Sequence, residues 1–302
     1  MKDKKDRVFN NSLLMVFIIG IVVISAYFMF FYRNADSKEV VALADTSEYA
    51  VYDGRQANEY WKSTLNDNQK ILYNELKEAY LQFLDTFSTR AESMTESEFQ
   101  EVYAAVLLDH PEIFWMDSYQ VITKPFSNKV NVHKKIKLFY YYDKDEAMKK
   151  KEIIEPAIAK IVEQASELDS DYQKVLFVHD TILEQTKYVD YTKENRHDFQ
   201  SIVSIFESNQ SVCAGYTYGF KLIMDRLGIE SVSVRDVGNK NEDDNHIWNM
   251  VKLYDAWFNL DLTWDDVKNP SGKISYAYFL KTNDEFYTTH KIQKKMPVTE
   301  SE

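Results

Sequence analysis

The chain holds one cysteine, Cys213, followed at a distance by His246 and Asp261. A thiol, an imidazole and a carboxylate make up the general arrangement of nucleophile, base and orienter. The carboxylate accepts from one ring nitrogen and fixes the tautomer, which leaves the other nitrogen to face the thiol. The chemistry on offer is thiol acyl transfer: sulfur attacks an amide carbonyl, the imidazole protonates the leaving amine, and a thioester forms. Water or a second amine then resolves the thioester, and these three groups serve either outcome equally.

Such groups work only if regular elements hold them. Cys213 stands where a polar loop gives way to a helical pattern, with Phe220, Leu222, Ile223 and Leu227 inward and Gly228 as the stop. The orphan N–H groups and positive dipole end of a helix start favour an anionic sulfur, and they can hold an oxyanion. His246 opens a predicted strand over 246–253, and Asp261 lies near the end of another over 257–262. A tight turn at Tyr254, Asp255 and Ala256 makes these a hairpin, which brings the two side chains onto neighbouring strands. Gln210 is the candidate for a second oxyanion donor.

The remaining groups read more plainly. His110, His133, His179, His197 and His290 are expected to be surface or structural residues, with packing or hydrogen bonding for His179. Trp248, Trp257 and Trp264 are expected in the core, and Tyr216 and Tyr218 in the core or along a cleft. Asp265 and Asp266 suit a turn. Glu242, Asp243 and Asp244 read as a solvated acidic loop.

Upstream, periodicity predicts helices over 66–87, 95–108, 145–168 and 171–188. Thr95 and Glu98 form a capping-box pair, His110-Pro111 is a stop, Pro156 is a site for a kink, and a capping Asp opens the helix at 171. Strands are predicted over 120–123, 135–142 and 231–234.

At the chemistry-bearing residues the sequence resembles the transglutaminase-like superfamily, especially its bacterial members. SVCAGYTYGFKLIMDRLGI (211–229) is similar to the nucleophile motif, and HIWNMVKLYDAWFNLDLTWDD (246–266) to the His-Trp-Asn strand with its Asp-x-Thr-Trp partner. VHDTILEQTKYVD (178–190) resembles the helix before the nucleophile, and ISYAYFLKTNDEF (274–286) the segment that closes the domain. The resemblance is specific over 171–286, and DHPEIFWMD (109–117) extends it upstream more loosely. It implies a papain-like, transglutaminase-like α+β core with Cys213 as nucleophile, His246 as base and Asp261 as orienter. It implies a cysteine peptidase or amidase, or a protein-glutamine acyltransferase. Ser211 departs from the pattern, since a glycine is expected just before the cysteine.

Residues 13–32, LLMVFIIGIVVISAYFMFFY, carry no charge. Some twenty residues at 1.5 Å each reach roughly 30 Å, the hydrocarbon thickness of a bilayer. Lys2, Lys4, Lys5 and Arg7 precede the run, and Arg33 and Lys38 follow it. That bias puts the N-terminus in the cytoplasm and the rest of the chain outside. Ala42-Leu43-Ala44 resembles a signal cleavage site, but the apolar run is longer than the ~7–15 residues of a secretory core, so an uncleaved anchor is expected. The expected organisation is a cytoplasmic N-terminus (1–12), a transmembrane helix (13–32) and a juxtamembrane linker (33–51). A mostly helical region (52–168), a catalytic domain (169–290) and a tail (291–302) follow.

Composition narrows the class. The formal charge of −12, from 48 acidic and 36 basic residues, lacks the basic footprint of a nucleic-acid binder. One cysteine excludes an intrachain disulfide and metal sites built on cysteine pairs. No organic cofactor is implied, and the chemistry requires no metal. The expected partner is a peptide or protein substrate, a cell-surface or cell-wall peptide among the candidates. The competing reading is a non-catalytic surface binding module that keeps the fold; the intact set of three groups weighs against it.

Overall fold

The computed structural model describes residues 58–122, 135–189, 196–236, 246–267, 273–290 and 295–299. The expected anchor and linker, the acidic loop at 242–244 and most of the tail lie outside the described residues. Among the described residues no helix is long and apolar enough to cross a membrane. All of them belong to the unit Leu43–Glu302.

The upstream region opens with α1 (Tyr60–Ser63) and α2 (Asp67–Leu81), and α2 is started by a reciprocal capping box between Asn66 and Gln69. The helix expected to reach residue 87 stops at Leu81. Phe83 takes a left-handed φ of 53° and stacks its ring on Trp115 and Tyr140, and Phe87 enters a strand instead. Apolar residues at helical spacing therefore serve a turn and a sheet here. The strands β1 (Thr86–Ser88), β2 (Met116–Ile122) and β3 (Lys135–Tyr140) form an antiparallel sheet with β3 central. Between β1 and β2, α3 (Glu96–Asp109) begins on the expected Thr95/Glu98 capping box and ends at His110. Its last residue, the buried Asp109, accepts the N–H groups of Trp61 and Lys62 and the hydroxyl of Tyr73, which joins three helices at one carboxylate.

Two longer helices follow. α4 (Lys144–Ser166) runs continuously through Pro156, and α5 (Asp171–Gln185) is capped by Ser170 with Gln173, not by an aspartate. Ser170 accepts from the N–H of Gln173, the geometry an N-cap requires, while Asp171 is already the first helical residue.

The downstream region is built around α6 (Cys213–Leu227). Every residue from Gly215 to Asp225 on it is buried, so it is a central helix rather than an amphipathic surface one. One side packs on an antiparallel sheet of β6 (Ser231–Arg235), β7 (Ile247–Leu253) and β8 (Ala256–Leu260), and the other on α4 and α5. Gly228, at φ 72°, ends the helix in the left-handed conformation glycine adopts without strain. β7 and β8 are joined by Tyr254 and Asp255, both with positive φ, the signature of a two-residue type I′ hairpin. β8 ends at Leu260; the segment expected to extend it to 262 turns into α7 (Leu262–Val267) because Asp261 accepts the N–H of Trp264. A last short helix, α8 (Asn283–Phe286), is capped by Thr282 and Glu285.

Burying α6 also buries its charges. Lys221 Nζ lies 2.5 and 2.6 Å from the two oxygens of Asp225, and Asp225 accepts the N–H of Asn58 at 3.2 Å. Trp61 Nε1 donates to Ser233 O, so α1 is stitched to β6. The pair thus fixes the upstream region against the central helix. Removing one partner strands the other charge in the core. Asp225→Ala is expected to lower unfolding free energy by about 3–5 kcal/mol in urea titration, whereas Lys221→Met with Asp225→Leu costs far less.

The start of α6 is set by close packing. The π-helical turn Ser204–Ser208 leads through Asn209, at φ 55°, into β5 (Gln210–Ser211), which pairs in parallel with β4 (Lys187–Tyr188). Ser204 and Ser211 share a hydrogen bond of 2.7 Å beneath Gly215. A Cβ on Gly215 would stand 1.9 Å from Ser211 Oγ and 2.6 Å from Ser204 Oγ. Gly215→Ala is therefore expected to destabilise the fold by about 1–3 kcal/mol and to slow Cys213 alkylation in the folded protein, read by thermal unfolding and by thiol-reagent kinetics.

Candidate active site

Cys213 is the first residue of α6. The residue before it, Val212, has no side-chain group to cap the helix, and the first helical bonds run from Gly215 and Tyr216 to Val212 O. The N–H groups of Cys213 and Ala214 therefore have no intrahelical partner. The chain reaches this position by Val212 N–H donating to Phe199 O at 3.1 Å and by the hydroxyl of Ser211. Ser211, at the position where a glycine was expected, is fully buried; its Oγ lies within hydrogen-bond reach of Ser204 Oγ and of Phe199 O. The hydroxyl anchors the turn that a glycine would only make tight.

His246 immediately precedes β7 and Asp261 immediately follows β8. The register pairs Asn249 with Leu260, which sets the two side chains diagonally across the open end of the hairpin. His246 Nε2 and Asp261 Oδ2 are 2.6 Å apart, and the Cys213 sulfur is near enough to the imidazole to favour its charged form. Since Nε2 is taken by Asp261, Nδ1 is the nitrogen left for sulfur. Burial opposes a charge on His246, but the Asp261 carboxylate and the Cys213 sulfur outweigh it and carry the imidazole up to about 10. Burial likewise opposes ionisation of Asp261, and contact with His246 and His290 brings it down to about 2. The three expected residues are thus brought to one place, His246 and Asp261 joined by a hydrogen bond and Cys213 beside the imidazole, and the ring is held in its charged form at neutral pH.

His290, expected to be an ordinary histidine, lies inside this chain. Its Nε2 is 3.0 Å from Asp261 Oδ2, the oxygen His246 also uses. The sequence carries no local motif at this position that marks it, because its contacts are made through the C-terminal segment. Trp264 also belongs to the site: its ring packs against His246 and, at 4.1 Å, against His290. Trp248 is buried beside them, and Trp257 is half-buried at α1 near Tyr60. His246, Asp261 and His290 have donor atoms within 4.8 Å of one another, the spacing of a metal set. Their donor atoms are turned on each other, however, and a carboxylate oxygen flanked by two ring nitrogens is the pattern of shared protons rather than of a cation seat.

Other residues take roles different from those expected. Asp265 and Asp266 do not close a turn. Asp265 is buried between His179, Ser275 and the N–H of Tyr278, and Asp266 accepts from Tyr216 and from the N–H of Tyr188. Those bonds fasten α5, α6 and the strand β4 to α7. His179 is wholly buried between Asp180 and Asp265, a structural role. Gln210 is exposed on β5 and is not among the residues lining the cavity beside Cys213.

That cavity has a volume of about 170 Å³. Cys213, Ala214, Tyr218 and Arg235 line one side; Tyr103, Ile113 and Phe114 of the upstream region line the other, and Gln200 and His197 complete it. His110, also expected to be ordinary, lines it too and is held between Glu59 and Glu112. The DHPEIFWMD segment therefore forms a wall of the cleft, which its sequence alone did not reveal.

The family model described as the transglutaminase-like superfamily matches residues 159–262. No curated protein matches the chain. Among solved structures, a TGase crystal structure is 16% identical with a TM-score of 0.35, over 64% of this chain and 55% of that one. A putative cysteine protease from Cytophaga hutchinsonii is 16% identical with a TM-score of 0.28, over 43% and 51% of the two chains. The periplasmic domain of TgpA from Pseudomonas aeruginosa is 16% identical with a TM-score of 0.28, over 37% and 43%. The matched part spans about half the length of each of these structures. Residues 159–262, which carry α5, α6 and the β7–β8 hairpin together with Cys213, His246 and Asp261, form a transglutaminase-like domain.

Proposed function

We propose that this protein is a thiol-dependent acyl-transfer enzyme acting on peptide or protein amides through Cys213, His246 and Asp261. One observation carries the reading: a half-buried cysteine at a helix start stands near an imidazole whose Nε2 is held at 2.6 Å by a buried carboxylate. In the resting site His246 holds a proton through neutral pH. The thiolate attacks the amide carbonyl carbon, and the developing oxyanion takes up the free N–H groups at the start of α6. His246 then gives its proton to the leaving nitrogen, the C–N bond breaks, and a Cys213 thioester remains. Neutral His246 next takes a proton from the incoming nucleophile. Water releases a carboxylic acid, and an amine releases a new amide; either restores the thiolate and the imidazolium.

We favour water as the ordinary acceptor, because an amine-selective site needs added architecture. The substrate is held in the cleft between the helix start and the upstream wall. For location, the uncharged run at 13–32 and its flanking basic residues support a single-pass anchor with the catalytic domain outside the cytoplasm.

Incubation with a glutamine-containing protein and a labelled primary amine tests the reaction. New termini or released ammonia without label is the expected result, and covalent label shifts the assignment to transamidation. Cys213→Ala and His246→Ala are each expected to lose about 10²–10⁴-fold of acyl transfer; a Cys213→Ala protein with full activity would falsify the mechanism. Acylation requires protonated His246, so the rate is expected to hold through neutral pH and to fall as pH rises through about 10. In intact cells, a membrane-impermeant thiol reagent is expected to label Cys213 without permeabilisation; labelling only after lysis would place the domain inside.

A further inference from the structure

We propose that His290 is a positioning residue of this site: it holds the Asp261 carboxylate in place and tempers that carboxylate's pull on His246. The inference rests on the acyl-transfer reading above, and it concerns a residue outside the matched segment 159–262.

The geometry leaves little freedom. Asp261 Oδ2 faces His246 Nε2 at 2.6 Å and His290 Nε2 at 3.0 Å, while Oδ1 accepts the N–H of Trp264 at 3.1 Å. An ionised carboxylate only accepts, so each imidazole must present an N–H to that oxygen. On the other side of His290, Nδ1 lies 2.9 Å from the hydroxyl oxygen of Thr289, whose single proton has two acceptors in reach, Phe286 O at 3.1 Å and, in a ring protonated on Nε2, this nitrogen. The ring is buried, stacked on Phe286 at 3.7 Å and against Trp264 at 4.1 Å. Burial in this aromatic nest, more than the opposing effect of Asp261, keeps His290 below the ordinary histidine range. His290 is thus a neutral donor of one fixed hydrogen bond.

The chain goes to some length to bring it there. The N–H and C=O of Asn259, at the end of β8, exchange bonds of 2.8 and 2.7 Å with Lys281. Asn259 also donates to Asn283 at the start of α8, and the N–H of His290 bonds to Phe286 O at its end. The segment after α7 is thereby pinned beside Asp261 from both sides. A carboxylate with two N–H donors on one oxygen is better stabilised, and so less basic, than one with a single donor. It stabilises the His246 imidazolium less, which makes that ring a readier acid toward the leaving amine. The other ionisable groups around this cluster are Cys213 against His246, Tyr278 and Asp265 near Asp261, and Arg235 beside Tyr218 and the thiol. All of these are the same in the variants compared below.

The test uses the full chain with ¹⁵N-labelled histidine. In wild-type protein, His290 is expected to be neutral with the proton on Nε2 across the neutral range. A proton on Nδ1, or a charged ring, overturns the proposal without any variant. His290→Phe keeps the aromatic packing and removes the donor; His290→Gln restores an N–H of similar reach. The His246 midpoint is expected to rise by roughly one pH unit in His290→Phe and to return toward wild type in His290→Gln. Acyl transfer is expected to fall about tenfold in the first and to recover in the second, in line with a one-unit change in acidity. A folded His290→Phe protein with an unchanged midpoint and rate, or equal losses in both variants, assigns His290 to packing alone and overturns the proposal. Failure of the acyl-transfer reading is distinct: wild-type His246 would be neutral at pH 7 and Cys213→Ala would keep full activity.

Discussion

A helix buried along its length must find a use for the N–H groups at its start. In α6 those groups belong to Cys213 and Ala214, and the residue ahead of them has no capping side chain. Leaving such groups in an apolar interior costs free energy, so the helix start has to open onto a polar space. The rest of the domain follows from that requirement. Gly215 lets the first turn lie on the Ser204–Ser211 pair, the sheet closes one flank, and α4 and α5 close the other. The cavity beside Cys213 is where the buried helix meets solvent, which is why the thiol at its start is reachable.

The same pressure explains the buried charges. Lys221 and Asp225 satisfy each other within α6, and Asp109 spends its oxygens on the start of α1 and on Tyr73. Each is a polar group committed to joining elements distant in sequence. Because Asn58 and Trp61 bond to Asp225 and Ser233, the upstream region is fastened to the helix and sheet that carry the site. Its contribution of Tyr103, Ile113 and Phe114 to the cleft is therefore as fixed as that of the transglutaminase-like domain itself.

The sequence is legible where one element decides the outcome. The helix from Cys213 to Gly228, the turn at Tyr254 and Asp255, and the Thr95 capping box are each written in a few adjacent residues. The sequence is not legible where distant contacts decide. Phe83 has helical spacing but turns left-handed because Trp115 and Tyr140 offer a stack. Residues 261–262 have a strand pattern, yet Asp261 caps the next helix. Asp265 and Asp266 look like turn residues and instead are acceptors for groups far away in the chain. His290 is the clearest case: its meaning lies in one oxygen of Asp261, 29 residues earlier, and nothing near it in sequence says so.

The two-residue turn between β7 and β8 also has a kinetic side. His246 and Asp261 are 15 residues apart on one hairpin, a separation that closes on the microsecond scale of hairpin formation. Cys213 must instead arrive on a helix whose burial needs the upstream region, α4, α5 and the sheet together, contacts of long sequence separation that form late. The topology thus favours a nascent chain in which the acid–base pair exists before the sulfur is brought to it. Until the last packing step the lone thiol has no helix field and no imidazole beside it.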